Sequence, residues 1–425
     1  MTLLRQRNFA LLWSAGVVSR IGDWMLFAAL PFYVYARTDS ALATGLMFIV
    51  ETVPPIVLGS IAGVFVDRWD RRQTMIVADL ARGALLLPLL AVQSRAALPV
   101  IYVVALLQAA LGQFFAPARG ALVPRVVGEE HLMAANALGA LGDNLPRLAG
   151  PAIGGLLLGL VGLPGVVVAD SASFLLSAAL VTAISLTPLP TEEHRPMRTT
   201  ARARRPAFRR EWTDGLQVVR RDRALTALFL VQAAAMAGQG IFEVLRVPFI
   251  RDVLHGDAAV FGLLVSIEGV GGLLGGALIG VAGRVIAPGR LLTLGVAAVA
   301  ALICVGVNIA ILPLAVALFA IAGLPMVAWL VSSQTLVQGA ATDRSRGRVL
   351  GAYGTTTALA TLGGMALASA TGTHANVVPL LNVAGGLHAL AALLAFALLR
   401  TDTSIAAPDD ALADVSQALD NSANT

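Results

Sequence analysis

Lysine is absent from this sequence of 425 residues, and cysteine occurs once, as Cys304. Without lysine the chain can form neither a phosphate-binding loop of the G-x-x-x-x-G-K-[ST] type nor a Schiff base. A single cysteine allows no intramolecular disulfide and no cluster of thiolate ligands. The five histidines lack metal-ligand spacing such as H-E-x-x-H. We therefore expect a protein that is not an enzyme and that uses no metal and no cofactor.

Charged residues are also scarce, at 13%, whereas 57% of the residues are hydrophobic and the mean hydropathy is +0.80. A soluble domain needs fewer apolar residues than this to build a core. About 20 apolar residues cross a bilayer as a helix, and the apolar runs here are continuous, which favours helices over alternating strands. The sequence predicts an all-α integral membrane protein with twelve transmembrane helices, near 9–36, 42–66, 73–93, 98–122, 132–162, 164–187, 224–250, 258–283, 290–311, 313–338, 347–371 and 376–400.

An internal repeat divides these helices into two six-helix pseudo-repeats. An offset of 217 residues maps Glu51 onto Glu268 and Pro31-Phe32 onto Pro248-Phe249, without a gap. Repeats of this kind in membrane proteins usually meet around a transport pathway. We predict bundles at 1–187 and 224–400, an Arg-rich cytoplasmic linker at 188–223 and a disordered acidic tail at 401–425.

The arginines predict the orientation, because connections rich in arginine stay in the cytoplasm. One side of the predicted membrane carries Arg5, Arg7, Arg68, Arg71, Arg72, Arg119, Arg125, Arg284, Arg290, Arg344, Arg346, Arg348 and Arg400, whereas the other has little beyond Arg37, Arg95 and Arg251. Both termini should be cytoplasmic, and the protein should lie in the plasma (inner) membrane as a monomer. Topology and lipid headgroups account for the basic linker, so no nucleic-acid partner is expected.

Three pairs of opposite charge occur within the predicted spans, at helical spacings of i, i+3 or i, i+4. They are Arg20 with Asp23, Glu243 with Arg246, and Asp143 with Arg147. Ionisable groups in a membrane interior are costly and are functional candidates by default. Each pair is therefore either a neutralising structural pair or part of a proton or substrate site.

Glu51 and Glu268 differ from these pairs, since no cation lies within a helical turn of either. An isolated buried carboxylate can bind and release a proton, which is what coupling to a proton gradient requires. The alternative is an inter-helix hydrogen bond that only packs the helices. The proton-coupling candidates are Asp23, Glu51, Glu243 and Glu268.

Two motifs resemble signatures of the major facilitator superfamily. Gly63-Val-Phe-Val-Asp67-Arg68-Trp-Asp-Arg71-Arg72 is similar to its G-x-x-x-D-R-x-G-R-[RK] signature, with Asp70 in place of a glycine. Gly150-Pro151-Ala-Ile-Gly154-Gly155 matches the core of the G-P-x-x-G-G signature, which marks antiporting exporters, although Pro146 replaces its upstream glycine. Further segments, such as Arg7-Asn-Phe-Ala-Leu-Leu-Trp13 and Ala135-Asn136-Ala-Leu138, resemble the branch that holds macrolide and enterobactin exporters.

The resemblance implies two six-helix bundles that rock around a central cavity. It implies a cytoplasmic gate that includes Gly63, Asp67, Arg68, Arg71 and Arg72, and we expect Asp79 and Arg82 to extend its network. Glycines of the fifth span should let it contact the eighth span across the halves. The complementary surface should be the glycine run Gly269, Gly271, Gly272, Gly275 and Gly276.

Several polar and aromatic residues within spans are candidates for the substrate cavity, namely Arg20, Gln108, Asp143, Arg147, Phe242 and Arg246. Gln108 stands, four residues before Gly112, where many drug antiporters carry an intramembrane arginine. We expect a secondary active transporter that exports a small amphipathic compound, of drug or siderophore type, by proton antiport. The alternatives are a proton-coupled importer of a small nutrient and a non-transporting membrane scaffold or receptor.

Overall fold

The structure is a computed structural model that describes residues 2–66, 68–92, 94–185, 217–343, 345–373 and 376–399. These residues form twelve long α-helices and no strand. The helices are α1 (Arg7–Thr38), α2 (Ala41–Val66), α3 (Arg71–Leu86), α4 (Leu98–Val127), α5 (Leu132–Val161), α6 (Leu163–Thr182), α7 (Arg223–Pro248), α8 (Ala258–Ala282), α9 (Pro288–Asn308), α10 (Leu312–Ala340), α11 (Arg346–Thr371) and α12 (Val377–Leu398). Most of the predicted linker and the whole predicted tail lie outside the described residues.

The predicted all-α membrane fold with two like halves is confirmed. The offset of 217 residues carries the first residue of α2, Ala41, onto the first residue of α8, Ala258. It also relates Tyr35 to Asp252, and these two side chains hydrogen-bond to each other. The repeated segments thus meet at equivalent positions of the two halves.

Helix α11 departs from the simple pattern of apolar spans. Eleven helical segments of the described residues are long and apolar enough to cross a membrane, and α11 is not among them. It packs closely on α7, where a Cβ added at Gly364 would lie 2.0 Å from the carbonyl oxygen of Ala237. Small residues let the two backbones approach.

Aspartates determine where three of the helices begin. Asp70 accepts a hydrogen bond from the backbone N–H of Gln73 at 2.7 Å at the start of α3. Asp222 and Asp257 cap α7 and α8 in the same way. An aspartate at this position satisfies a free backbone donor of the first turn. This role explains why Asp70 stands where the family signature has a glycine.

Helices α5 and α8 contact each other across the halves, as predicted, but of the predicted glycine run only Gly269 faces α5, where an added Cβ would lie 2.7 Å from Leu148 Cδ2. A Cβ added at Gly155 would lie 2.2 Å from the carbonyl oxygen of Ala258, and one at Gly262 would lie 2.1 Å from that of Pro151. Most of the run is not at this contact. Gly271 and Gly275 instead face α10, with Ala320 and Leu324 as their nearest neighbours. The prediction was wrong here because sequence does not show which face of a glycine-rich helix meets which partner.

The halves also pack together where α1 and α7 end and α2 and α8 begin, which we call the closed end (residues 32–48 and 244–264). Phe32 lies 5.7 Å from Phe261, measured between ring centroids, and both belong to one apolar cluster with Phe48 and Leu245. At the opposite end, a Cβ added at Gly63 would meet no atom within 4 Å. The closed end is therefore the tighter of the two.

We predict that Gly155→Ala lowers the melting temperature of the purified protein in detergent. The added methyl group collides with backbone atoms of α8, and overpacking typically costs about 1–3 kcal/mol. Gly159→Ala is the matched control in the same helix, since a Cβ there meets no atom within 4 Å. Equal melting temperatures for the two variants would contradict the close α5–α8 contact.

Candidate functional site

Four charged residues meet where the two halves adjoin, and we call them the interface cluster (Glu51, Glu243, Arg246 and Glu268). Glu243 and Arg246 of α7 form the predicted i, i+3 ion pair. Arg246 also approaches Glu268 of α8, with 3.9 Å between Nη1 and Oε2, and its guanidinium lies 5.5 Å from the centre of the Phe261 ring. Glu243 and Glu268 thus share one buried guanidinium.

Glu51 is the only member of the interface cluster that comes from the first half. One of its carboxylate oxygens is buried without a hydrogen-bond partner among the described residues. The charged residue that acts on it electrostatically is Glu243, another carboxylate. A buried carboxylate without a partner is costly when ionised and much less costly when protonated, so Glu51 has the surroundings of a proton-binding group.

Glu268 is not the isolated carboxylate that the sequence predicts. Arg246 lies within ion-pair distance, and Arg147 of α5 is near enough to influence it electrostatically. The expectation failed because it considered cations only within a turn of the same helix. Glu51 and Glu268 hold equivalent places in the repeat, yet only Glu268 has a nearby arginine.

An apolar pocket lies beside Glu268, between α7, α8, α9 and α10. Phe242 and Phe319 form part of its wall, with 6.1 Å between ring centroids, and Glu268 and Gln239 are its polar residues. An apolar pocket with a few polar groups is typical of small-molecule sites. Phe242, one of the predicted substrate-cavity residues, lines this pocket, and its contact with a substrate stays a prediction.

A second group of polar residues, the interior cluster (Asp23, Asp79, Arg82, Gln108 and Asp170), lies within the first half. Arg82 of α3 forms an ion pair with Asp23 of α1. Its Nε donates to Oε1 of Gln108 at 3.0 Å, and Gln108 Nε2 donates to the Arg82 carbonyl at 2.8 Å. Gln108 of α4 stands where many drug antiporters carry an arginine, and Arg82 of α3 supplies a guanidinium beside it.

Asp79 and Asp170 are the most deeply buried acids of the interior cluster, and both are fully inaccessible to solvent. Asp79 accepts from Ser19 at 3.3 Å, and Asp170 accepts from Ser173 at 3.2 Å. Sequence reasoning missed Asp170, although an aspartate within an apolar span was a visible signal. The contacts of Asp79 and Arg82 run to α1 and α4, and the part of both residues in a cytoplasmic gate stays a prediction.

Two predicted pairings within single helices are replaced by contacts between helices. Arg20 pairs with Asp143 of α5, not with Asp23. Asp143 binds Arg119 of α4 at 2.8 Å as well as Arg20, and it does not bind Arg147, whose guanidinium lies 5.1 Å from the centre of the Trp24 ring. An arginine side chain is long enough to reach a neighbouring helix, which is why local spacing misassigned these partners.

Comparisons with known proteins place this arrangement in a family. A family model described as a transmembrane secretion effector matches residues 1–421. An MFS-type transporter of Bacillus subtilis (strain 168), YfiS, is 26% identical over 367 residues, which cover 85% of this chain and 86% of YfiS. The chain belongs to this family of the major facilitator superfamily. It is therefore a multi-pass membrane transporter of small molecules and not an enzyme.

Relatives within the superfamily include exporters. Macrolide efflux protein A of Streptococcus pyogenes is 26% identical over 65% of this chain and 67% of its own length. Enterobactin exporter EntS of Citrobacter koseri (strain ATCC BAA-895 / CDC 4225-83 / SGSC4696) is 25% identical over 78% of this chain and 76% of its own length. A bacterial homologue of the iron transporter ferroportin, in an inward-facing state, has a TM-score of 0.71 at 16% identity and covers 93% of this chain and 99% of its own. This last likeness shows the fold alone.

The major facilitator signature between α2 and α3 makes its described contacts within the first half. Arg71 donates to the Ala121 carbonyl of α4 at 3.1 Å, and Arg72 donates to the Val181 carbonyl of α6 at 3.1 Å. Arg68 is exposed, and Asp67 lies outside the described residues. The two arginines therefore bind α3 to the ends of α4 and α6.

At the closed end of this major facilitator fold, polar contacts join α1 to the segment that follows α7. Arg251 Nη1 donates to Asp39 Oδ1 at 2.7 Å and to the Tyr35 carbonyl at 3.1 Å. The Tyr35 hydroxyl donates to Asp252. A π-helical turn at Phe249–Val253 positions both Arg251 and Asp252. These bonds between the halves were not predicted from sequence.

We predict that Arg82→Gln destabilises the transporter more than the double variant Asp23→Asn/Arg82→Gln does. Removing one partner of a buried ion pair leaves an uncompensated charge and costs up to about 3–5 kcal/mol, less here because Asp23 is one-third exposed. Melting temperatures in detergent for both single variants and the double variant measure the coupling, which we expect at about 0.5–3 kcal/mol. Purely additive effects would show that the two charges do not interact.

Proposed function

We propose that this transporter exports a small amphipathic organic compound, of macrolide or siderophore type, in exchange for protons. The observation that carries the proposal is the interface cluster, in which Glu243 and Glu268 flank one arginine beside an apolar pocket and Glu51 of the first half lies near Glu243. Apolar walls suit an amphipathic compound, and the cluster offers carboxylates that can exchange protons. The cluster lies where relative motion of the halves would act on it, because Glu51 belongs to the first half and Glu243 to the second.

The charge balance of the interface cluster supports a role in proton binding. Glu51 and Glu268 each interact with the like charge of Glu243 in a low-dielectric interior, where repulsion between like charges is strong. Protonation of one glutamate relieves that repulsion, and motion of the halves changes it, since Glu51 and Glu243 belong to different halves. Proton binding and conformation are then linked in both directions.

The activities named for the relatives support export rather than uptake. These relatives include a macrolide efflux protein, an enterobactin exporter and the multidrug efflux pump Tap of Mycolicibacterium fortuitum, which is 31% identical over 38% of this chain and 41% of its own length. The signature that marks antiporting exporters, Gly150-Pro151-Ala-Ile-Gly154-Gly155, lies in α5 at the contact with α8. We propose that this contact is the pivot on which the halves rock.

The proposed orientation follows from the arginines at the helix ends. Arg5, Arg7, Arg125, Arg284 and Arg290 lie at the end opposite the closed end. Arginine-rich ends face the cytoplasm, so we place both termini there and the protein in the plasma membrane. The structure then corresponds to a state that is open toward the cytoplasm. Gly63, Asp67, Arg68, Arg71 and Arg72 would form the gate that closes on that side.

We predict that Gln substitution in the interface cluster abolishes gradient-driven export without loss of protein from the membrane. The variants are Glu51→Gln, Glu243→Gln and Glu268→Gln, each of which keeps the side-chain size and removes the proton-binding carboxylate. Exposed Glu129→Gln is the matched control. The measurement is resistance to a macrolide, enterobactin accumulation and dye efflux in a bacterial host without its own exporters, with and without an uncoupler.

At least one cluster variant should lose protection to the level of the empty host, while the control keeps it. Full protection by all three variants would show that the interface cluster takes no part in proton coupling. Accumulation of a compound inside the cells, instead of protection, would reverse the proposed direction of transport. Membrane abundance is compared for every variant, so that loss of function is not confused with loss of protein.

We also predict that cross-linking α2 to α11 at the closed end stops transport reversibly. A Cβ added at Gly45 would lie 2.8 Å from the Cβ of Ser369, and a disulfide needs about 3.5–4.5 Å between the two Cβ atoms, so a small shift allows the bond. The pair Gly45→Cys/Ser369→Cys is made in a Cys304→Ser background, because Cys304 is the only native cysteine.

The same two antiparallel helices supply the control at their other end. A Cβ added at Gly63 or at Gly351 meets no atom within 4 Å, so Gly63→Cys/Gly351→Cys should not form a disulfide in the described state. Oxidation in the absence of substrate and gradient should form a disulfide in the closed-end pair alone and then block transport, and a reductant should restore it. Undiminished transport with the closed-end disulfide formed would show that this end does not open during the cycle.

A further inference from the structure

The interior cluster holds more negative charge than its single arginine can neutralise. Asp23, Asp79 and Asp170 face Arg82, and full ionisation would leave an excess of two negative charges in the interior of the first half. An excess of this kind is costly in a low-dielectric environment. A ligand of positive charge would relieve it.

The hydrogen bonds of Asp79 and Asp170 indicate which ligand that is. Each residue is fully buried, and each has one carboxylate oxygen that accepts from a serine. The other oxygen of each is buried with no hydrogen-bond partner among the described residues. The described residues also contain no group of acids, histidines or cysteines arranged to hold a metal ion, whereas a proton needs only one carboxylate oxygen.

The neighbouring groups leave no other cation for these two acids. Arg20 of α1 binds Asp143 of α5, and Arg119 of α4 binds the same carboxylate. The remaining polar groups that face the cluster carry no positive charge, namely Ser19 and Asp23 of α1, Gln108 of α4, and Ser173 and Ser177 of α6. Arg82 alone must therefore serve three carboxylates.

A glycine in α1 brings the buried acids close to the more accessible Asp23. A Cβ added at Gly22 would lie 1.9 Å from Asp170 Oδ1 and 2.3 Å from Ser173 Oγ, so only glycine lets α6 reach α1 here. Asp23, the next residue, is one-third exposed. A proton can enter the cluster from the Asp23 side, where water has access.

We propose that Asp79 and Asp170 form a second proton-binding site, separate from the interface cluster, and that its loading controls the Arg82–Asp23 ion pair. With one proton bound to a carboxylate oxygen of this pair, Arg82 remains on Asp23, which is the arrangement in the structure. Release of that proton to water leaves both acids ionised, and they then compete with Asp23 for the guanidinium. The site lies in α1, α3 and α6 and does not require that the interface cluster carry the transported proton.

Infrared difference spectroscopy of the purified transporter, titrated with pH in the absence of any substrate, tests this site. Protonated carboxyl groups absorb at a C=O stretch that ionised carboxylates lack. We expect an absorption that disappears as pH rises. Asp79→Asn or Asp170→Asn should remove part of it, and the double variant should remove all of the absorption that these two aspartates contribute. Asp143→Asn is the control, because two arginines hold that carboxylate, and it should leave the absorption unchanged.

Isotope labelling provides a second measurement that needs no substitution. Carboxyl-¹³C aspartate shifts the band of a protonated aspartate and leaves the glutamates of the interface cluster in place. If the pH-dependent band shifts with the aspartate label, the site is supported. If the pH-dependent band does not shift, it arises from glutamates alone and the site is overturned. The proposal also fails if the double variant shows the same pH-dependent absorption as the unsubstituted transporter. It fails as well if the absorption that the double variant lacks does not depend on pH. None of these outcomes depends on whether the protein exports anything.

Discussion

The cost of charge in a membrane interior is the constraint on which the arrangement of this protein depends. Among the described residues, the buried Arg82 and Arg246 and the half-buried Arg20 are each held by a carboxylate from another helix or from the adjacent turn: Arg82 by Asp23, Arg20 by Asp143 and Arg246 by Glu243. Such bonds determine which helix faces point inward, because a charged face turned toward lipid would cost several kcal/mol. The helices therefore pack around their charges, and glycines provide the room, as Gly16 does where an added Cβ would lie 2.8 Å from Arg119 Nη1.

A transporter must also let its halves separate at one end while they remain in contact at the other. The two kinds of contact at the closed end suit this need. The apolar cluster around Phe32 and Phe261 stabilises the closed end without directional bonds, whereas the Arg251–Asp39 bond is partly exposed and can exchange its partners for water. Exposed ion pairs contribute about 0–1 kcal/mol, so opening the closed end does not require an expensive charge separation.

The fold could be predicted from sequence because its signals are local. Apolar run length identifies helices such as α2, and the offset of 217 residues identifies α8 as its counterpart. Site partners were harder, since they depend on which helices meet. Glu243 and Arg246 were paired correctly because they are one turn apart, but Asp143 was assigned to Arg147 when its partners lie on α1 and α4. Asp170 was overlooked because no local partner drew attention to it, and its significance appears only when α1 and α3 are seen to surround it.

The two acidic clusters differ in how they can respond to movement of the halves. The interface cluster draws Glu51 from α2 and its other members from α7 and α8, so a rocking motion changes the separation of its charges directly. The interior cluster belongs wholly to α1, α3, α4 and α6, and a rigid motion of the first half leaves it intact. It can respond only through a change within that half. Helix α1 links the interior cluster to the contacts between the halves, since it carries Asp23 in the cluster and Tyr35 at the closed end. A shift of α1 would therefore connect the charge state of the interior cluster with the contacts that hold the halves together.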